Sequence, residues 1–389
     1  MLLKTFGWSF GITVVGLALA GVLWGLKGMA IVAILSVLEI SLSFDNAVIN
    51  AGILRKMNAF WQKIFLTVGV LIAVFGMRLV FPIVIVAITA KISPVEAVKV
   101  AIQDPNRYQS LVTAAHPAIA AFGGIFLLMI FLDFIFEARE HQWLAWLERP
   151  LAKLGKLDML SVVISLALLV VTSTTLATNV AHHGGDKSAT VLLSGVLGLV
   201  TYLVVGGVSG YFEDRLEDDD EEDEADDADE ADDADEAGAG VSPVKAASGA
   251  SAVGLAGRAA FFMFLYLEVI DASFSFDGVI GAFAITNDIF ELALGLGIGA
   301  MYIRSLTVFL VRKGTLDDYV YLEHGAHYAI GALAVILLVT IKFQINEVIT
   351  GLVGVVLIAT SYWSSVVRNR RLGESSEQSN DKAEVTSGV

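Results

Sequence analysis

The sequence predicts an all-α, polytopic membrane protein of about ten transmembrane helices, built as two inverted five-helix repeats. Three observations carry this prediction. Of 389 residues, 56% are hydrophobic and only 17% charged, whereas soluble domains are about one-quarter charged; the mean hydropathy is +0.72. The apolar residues fall into runs of roughly the 20 residues that a bilayer crossing needs. Finally, the segment LSFDNAVINA at 42–51 returns as FSFDGVIGA at 274–282.

The ten runs are bounded by charges and turn residues. The first, 8–26, follows Lys4 and has the look of a signal peptide. A second apolar segment succeeds it almost at once, so it reads as a retained helix. The second, 28–54, contains Glu39 and the first acidic motif. The third, 62–89, holds Arg78 in GMRLVF. The fourth, 116–136, opens with HPAIAAFGG, and the fifth, 158–182, contains TSTTLATN at 172–179. The sixth spans 188–212. The seventh, 257–286, carries Glu268, Asp271 and the second motif. The eighth, 290–312, holds Arg304 in YIRSLT, the ninth, 324–341, opens with HGAHYAIGA, and the tenth spans 346–367. Aligning Asp45 with Asp277 aligns Glu39 with Asp271. The two arginines and the two histidine-led segments (His116, His324) then follow in the same order. The matched helices are five crossings apart, an odd number, so the repeats run in opposite directions. Residues 1–212 thus hold the first repeat and the start of the second, 257–367 the remainder of the second, and 368–389 a tail without structure.

Between Glu213 and Glu236 there are 18 Asp or Glu and one basic residue, Arg215. That segment holds the whole acidic excess, since the net charge is −16. Residues 213–256 cannot bury apolar surface and read as a disordered loop. It is a solvating linker, a surface suited to a salty cytoplasm, or a weak binder of cations or proteins. With alternating helices, 17 Lys and Arg fall on one side and 6 on the other, placing both termini and this loop in the cytoplasm and the protein in the cell membrane as a multi-pass chain. No basic patch suggests nucleic acid. Absence of cysteine excludes disulfides, thiolate metal sites and dithiol redox chemistry. No P-loop, GxSxG, HExxH or dinucleotide fingerprint is present, so the chain does not read as an enzyme or as the holder of a permanent cofactor.

Carboxylates inside a bilayer are costly and mark functional sites. Glu39, Ser43, Asn46 and Asn50, at i, i+4, i+7 and i+11, fall within about 60° of one another on a helix. Glu268, Asp271 and Ser275 form a second polar stripe. Two inverted stripes facing each other make an oxygen-rich cage of a kind that suits hard divalent cations. Asp45 and Asp277 lie about 240° round from their upstream partners on a straight helix, which predicts an unwound Ser-Phe-Asp stretch. Alternatively, each carboxylate is merely neutralised, Glu39 by Arg78 and Glu268 by Arg304. That still leaves Asp45, Asp271 and Asp277 without a basic partner, to be met by a cation or by protons. The hydroxyls of 172–179, the pair His182 and His183 with Asp186, and Asp133 with Glu137 are weaker candidates, read as helix back-bonds, solvated loop and interfacial face.

LEISLSFDNAVINA with the later EVIDASFSFDGVIGA resembles the TerC-like membrane proteins of the LysE-type transporter superfamily, over roughly residues 28–140 and 257–367. The match is to a subgroup with paired SFDN and SFDG motifs. The resemblance implies Mn²⁺ efflux with Glu39, Asp45 and Asn46, and Asp271 and Asp277, as ligands. Gly278 in place of the motif's Asn, the extra Glu268 and the acidic loop depart from that pattern. The expectation is therefore an exporter of a divalent cation, Mn²⁺, coupled to H⁺ or Na⁺ by alternating access. Its metal set is Glu39, Asp45, Asn46, Glu268, Asp271 and Asp277, supported by Ser43, Asn50, Ser275, Arg78 and Arg304. The partners are the bilayer and the cation, and a homo-oligomer is compatible with the sequence. The rival readings are export of a small organic or anionic solute recognised by the arginines, and a non-transporting scaffold acting through the acidic loop.

Overall fold

The computed structural model describes residues 2–178, 186–207, 257–313 and 319–387, apart from 56, 70, 140, 156, 158, 284, 287 and 346. Among the described residues there are helices and no strands. In chain order they are α1 (Leu2–Leu42), α2 (Phe44–Leu54), α3 (Ala59–Ile64), α4 (Phe81–Ala90), α5 (Pro94–Gln103), α6 (Pro105–Phe136), α7 (Ala145–Leu154), α8 (Leu160–Val171), α9 (Ser188–Gly207), α10 (Gly257–Phe283), α11 (Ile289–Lys313), α12 (Leu322–Thr340) and α13 (Glu347–Ser387). Between α3 and α4 the chain is π-helical over Phe65–Gly69 and Ile72–Val80, and again after α8 over Thr172–Leu176.

Seven of these segments are long and apolar enough to cross a membrane. Large apolar side chains point outward along them, among them Trp8, Val22, Leu26, Leu193 and Trp363. An outer surface this apolar is stable against lipid and not against water. The chain is a polytopic all-α membrane protein.

Each of the ten apolar runs has a helical counterpart. The first two merge in a single apolar segment, Phe6–Leu42, which folds back on itself. Gly25 has φ 71° and ψ −167°, a backbone region open only to glycine. The first arm descends α11: the Ser9 hydroxyl lies 2.8 Å from that of Ser305, and Thr13 donates to the Tyr302 hydroxyl at 3.0 Å. At the turn, the Trp24 indole donates to Asp288 at 3.1 Å. The second arm climbs back, Ser36 donating to the Gly295 carbonyl at 3.0 Å. The fifth run is a shorter apolar helix, Leu160–Leu176. The seventh, α10, is one continuous helix whose apolar run is punctuated by Glu268, Asp271 and Asp277.

Other boundaries differ from expectation. The fourth helix starts at Pro105, whose missing N–H suits a first turn, and Asp104 caps it by accepting from Arg107 N at 3.1 Å. The short α5 and α7 occupy stretches without a long apolar run. The final helix continues to Ser387 where 368–389 reads as a structureless tail; no proline interrupts it. The acidic segment 213–256 lies outside the described residues.

The repeat is visible in the packing. α6 and α12, the helices led by His116 and His324, lie antiparallel. His116 Nε2 lies 3.4 Å from the Thr340 hydroxyl at one end, and the Phe134 and His324 ring centroids are 5.2 Å apart at the other. Ala120, Ile125 and Phe126 meet Ala326, Ile330 and Ala334 in the largest apolar core. α2 packs on α11 and α12, while α10 packs on the 72–80 segment and α6. These are the same contacts with the repeats exchanged.

Candidate functional site

Glu39 is 1% exposed near the end of α1. One turn on, Ser43 donates to Glu39 Oε1 at 2.7 Å. The Arg78 guanidinium, carried by the π-helical segment 72–80, forms an ion pair with the same oxygen. Wide π turns are rare and tend to occur at functional positions. Glycines make the fit: a Cβ at Gly299 of α11 would lie 2.5 Å from Glu39 Cβ, and one at Gly278 of α10 would lie 3.0 Å from Glu39 Oε2. The glycine that replaces the motif's Asn in the second repeat thus makes room for the carboxylate of the first.

α10 supplies Glu268 and Asp271, three residues apart and so on one helical face. Asn46 donates to Asp271 Oδ1 at 3.5 Å, joining the repeats. Among the described residues neither Glu268 oxygen has a hydrogen-bond partner, nor do Asp271 Oδ2, Glu39 Oε2 and Asn50 Oδ1, and all are buried. A Cβ at Gly69 would lie 2.8 Å from Glu268 Oε1. The anticipated Glu268–Arg304 pair is not formed: Arg304 has no ion pair among the described residues, and its Nε is buried without an acceptor. These side chains border a small cavity of about 40 Å³, lined by Ser43, Asn50, Phe65, Gly69, Arg78, Glu268, Asp271, Ala300, Ile303, Arg304 and Thr307.

Apolar clusters flank the cavity on both sides along the helices. Along α2 and α10, the next residues outward are Leu54, Met57, Leu267, Phe264 and Met263, an apolar plug completed by Phe65. In the opposite direction Leu35, Val279, Ala282, Leu292 and Leu296 form a second plug. Beyond it opens a vestibule lined by Trp24, Lys27, Gln109, Thr286, Asp288 and Glu291.

The structure gathers Glu39, Ser43, Asn46, Asn50, Arg78, Glu268, Asp271 and Arg304 around one place. The side chains of Asp45, Ser275 and Asp277 lie outside the described residues. Their backbone is described, and it settles the unwinding asymmetrically. Ser43, with φ −104° and ψ 14°, breaks the first repeat just before Asp45, whereas α10 runs unbroken through the second motif. Among the described residues no three His, Asp or Glu side chains form a metal cage.

Phe65, Gly69, Ile303 and Thr307 were not evident as lining residues. The Gly295-Gly299 spacing, a small-xxx-small signature of close helix packing, was the available signal for the Glu39 contact. The weaker candidates lie elsewhere. Thr174 and Thr175 back-bond to Val170 and Val171 carbonyls at 2.8 and 2.6 Å. Asp186 accepts from Ser188 N and Oγ, bonds that hold its carboxyl below the usual range. Asp133 takes the Tyr202 hydroxyl and Glu137 pairs with Arg139. His324 Nε2 faces Glu148 at 3.6 Å, at the end of α12 away from His116. His182 and His183 lie outside the described residues.

Fold and site together define a membrane protein with a buried, charged cavity between two related helical units. The chain belongs to the family described as "Protein of unknown function (DUF475)", whose model matches residues 44–372. No curated protein matches it, and no solved structure does.

Proposed function

We propose that this protein is a transporter that carries a divalent cation, Mn²⁺, out of the cytoplasm across the cell membrane by alternating access, with H⁺ or Na⁺ as the coupling ion. The observation that carries the reading is the buried cavity in which, among the described residues, both Glu268 oxygens and Asp271 Oδ2 have no protein donor, next to a Glu39 already neutralised by Arg78. Unpaired carboxylates are strongly disfavoured in a dry interior. A hard cation with oxygen ligands relieves that cost, and Asn46, Asn50 and Ser43 add neutral oxygens. Asp45 and Asp277 complete the ligand set, with Ser275 in support. Plugs on both sides suit a carrier better than a channel. The choice of manganese, the outward direction and the cytoplasmic termini rest on the TerC-like resemblance of the two motifs and on the Lys/Arg count.

The test is metal content, by elemental analysis, of a manganese-efflux-deficient host expressing the wild type, Asp45→Asn or Asp271→Asn at equal levels of folded protein. A fall in manganese with the wild type alone is expected. Equal contents in all three would overturn the reading. A second reading, export of a small anionic solute, draws on one observation: Arg304 lines the cavity without an ion pair among the described residues. In that case Arg304→Glu abolishes solute export while Asp271→Asn spares it.

A further inference from the structure

The two repeats share a backbone plan but not a state. Residue 36 corresponds to 268 and residue 69 to 295 by the motif spacings. The structure places Ser36 on Gly295, with a hydrogen bond of 3.0 Å to its carbonyl, and Glu268 on Gly69, where an added Cβ would meet Oε1 at 2.8 Å. The same equivalence relates the pair Glu39 and Arg78 to the pair Asp271 and Arg304. Here the symmetry breaks. Glu39 and Arg78 are ion-paired. Asp271 is held by Asn46, and Arg304 faces the cavity with no ion pair among the described residues. The break coincides with a second asymmetry. The cavity lies on the Phe65–Gly69 side of the site, whereas the equivalent space beside Gly295 is filled by Leu35, and the vestibule lined by Glu291 opens only beyond it.

Inverted repeats in transporters exchange conformations when access switches sides. We infer that Arg78 and Arg304 neutralise the site in alternation: Arg78 holds Glu39 when the cavity lies toward Phe65, and Arg304 holds Asp271 when it lies toward Glu291. Each guanidinium is a tethered cation that occupies one carboxylate while the other is released to the cargo. This deepens the transport reading and rests on it for the cargo, but the switch itself needs no cargo to be seen.

The chain has no cysteine, so single reporters have no background. Leu292→Cys sits in the vestibule-side plug and Met263→Cys in the opposite one, with Leu292 2% and Met263 7% exposed. Maleimide labelling rates would be measured in the full-length protein in proteoliposomes without added metal. Removing Arg78 (Arg78→Gln) should raise labelling at Leu292→Cys and lower it at Met263→Cys, and Arg304→Gln should do the reverse, each by about fivefold or more. Arg78→Lys and Arg304→Lys, which keep the charge, should label like the parent. Should a Gln variant not fold, Glu39→Gln and Asp271→Asn remove the same pairs and should give the same opposed shifts. Labelling that changes in one direction for both arginines, or for neither, would overturn alternation. Mn²⁺ uptake by the same vesicles is read separately with a trapped indicator. Opposed shifts without wild-type Mn²⁺ flux would leave the switch standing and remove manganese as the cargo.

Discussion

At the residue scale the site depends on space as much as on charge. Gly278 faces Glu39 Oε2, and the carboxylate cannot swing away because Ser43 and Arg78 hold the other oxygen. Gly278→Ala therefore pushes on a group that is fixed from two sides. Its cost falls on the geometry of the site more than on the fold, since only a few tenths of an ångström separate 3.0 Å from ordinary contact. The expected outcome is a several-fold loss of Mn²⁺ flux with little change in Tm. Gly52 of α2 is the control: nothing lies within 4 Å of an added Cβ, so Gly52→Ala should keep full flux and gain about 0.5–1 kcal/mol from the stiffer helix. Equal flux losses in the two variants would show that the crowding at Glu39 is not what matters. The identities at this site were legible from the acidic motifs, because buried charge stands out in an apolar chain. The glycines beneath the carboxylates were not, since the partner of a glycine becomes known only when the helices are packed.

At the element scale, hydropathy located the helices but not their interruptions. The boundary between the first two apolar runs falls at Lys27, two residues past Gly25, where the chain reverses. By contrast the break at Ser43 sits inside a continuous apolar run, where periodicity sees nothing. The π-helical stretches 65–69 and 72–80 are equally silent in composition. The short α7 was missed for a different reason: its fold depends on tertiary bonds. Buried Glu148 accepts from Leu144 N at 3.0 Å and from the Tyr328 hydroxyl at 3.1 Å, tying α7 to α12. The reversal at Gly25 gives a clean test, because nothing surrounds it within 4 Å and a substitution there acts through the backbone alone. Gly25→Ala should cost about 1–3 kcal/mol, the strain of a side chain in a glycine-only region. In detergent this would appear as a lower Tm, with flux per folded molecule unchanged. An unaltered Tm would mean that the two arms do not need this turn to pack on α11.

At the scale of the whole molecule, the inverted repeat explains why one site has two apolar plugs. Exchanging the halves maps the face near Phe65 onto the face near Glu291, so a plug built in one half implies a counterpart in the other. The sequence revealed the repeat through matched motifs but not its asymmetry, in which Glu39 and Arg78 are paired while, among the described residues, Asp271 and Arg304 are not. Two plugs in series make a specific demand on leakage. Phe264, 7% exposed, belongs to one, and Leu35, fully buried, to the other. Phe264→Ala or Leu35→Ala alone opens one end of the cavity and leaves the second plug closed, so the membrane should stay sealed. The double variant opens both ends and should pass ions passively, without a coupling gradient. Each truncation costs about 2–5 kcal/mol, so the comparison is made per folded molecule after gel filtration. The readout is dissipation of an imposed Mn²⁺ gradient across proteoliposomes held at zero membrane potential and equal pH. A single variant that leaks as fast as the double would mean that only one plug is a barrier. The cavity would then be open from the other side at rest, and the proposed pair of barriers would reduce to one.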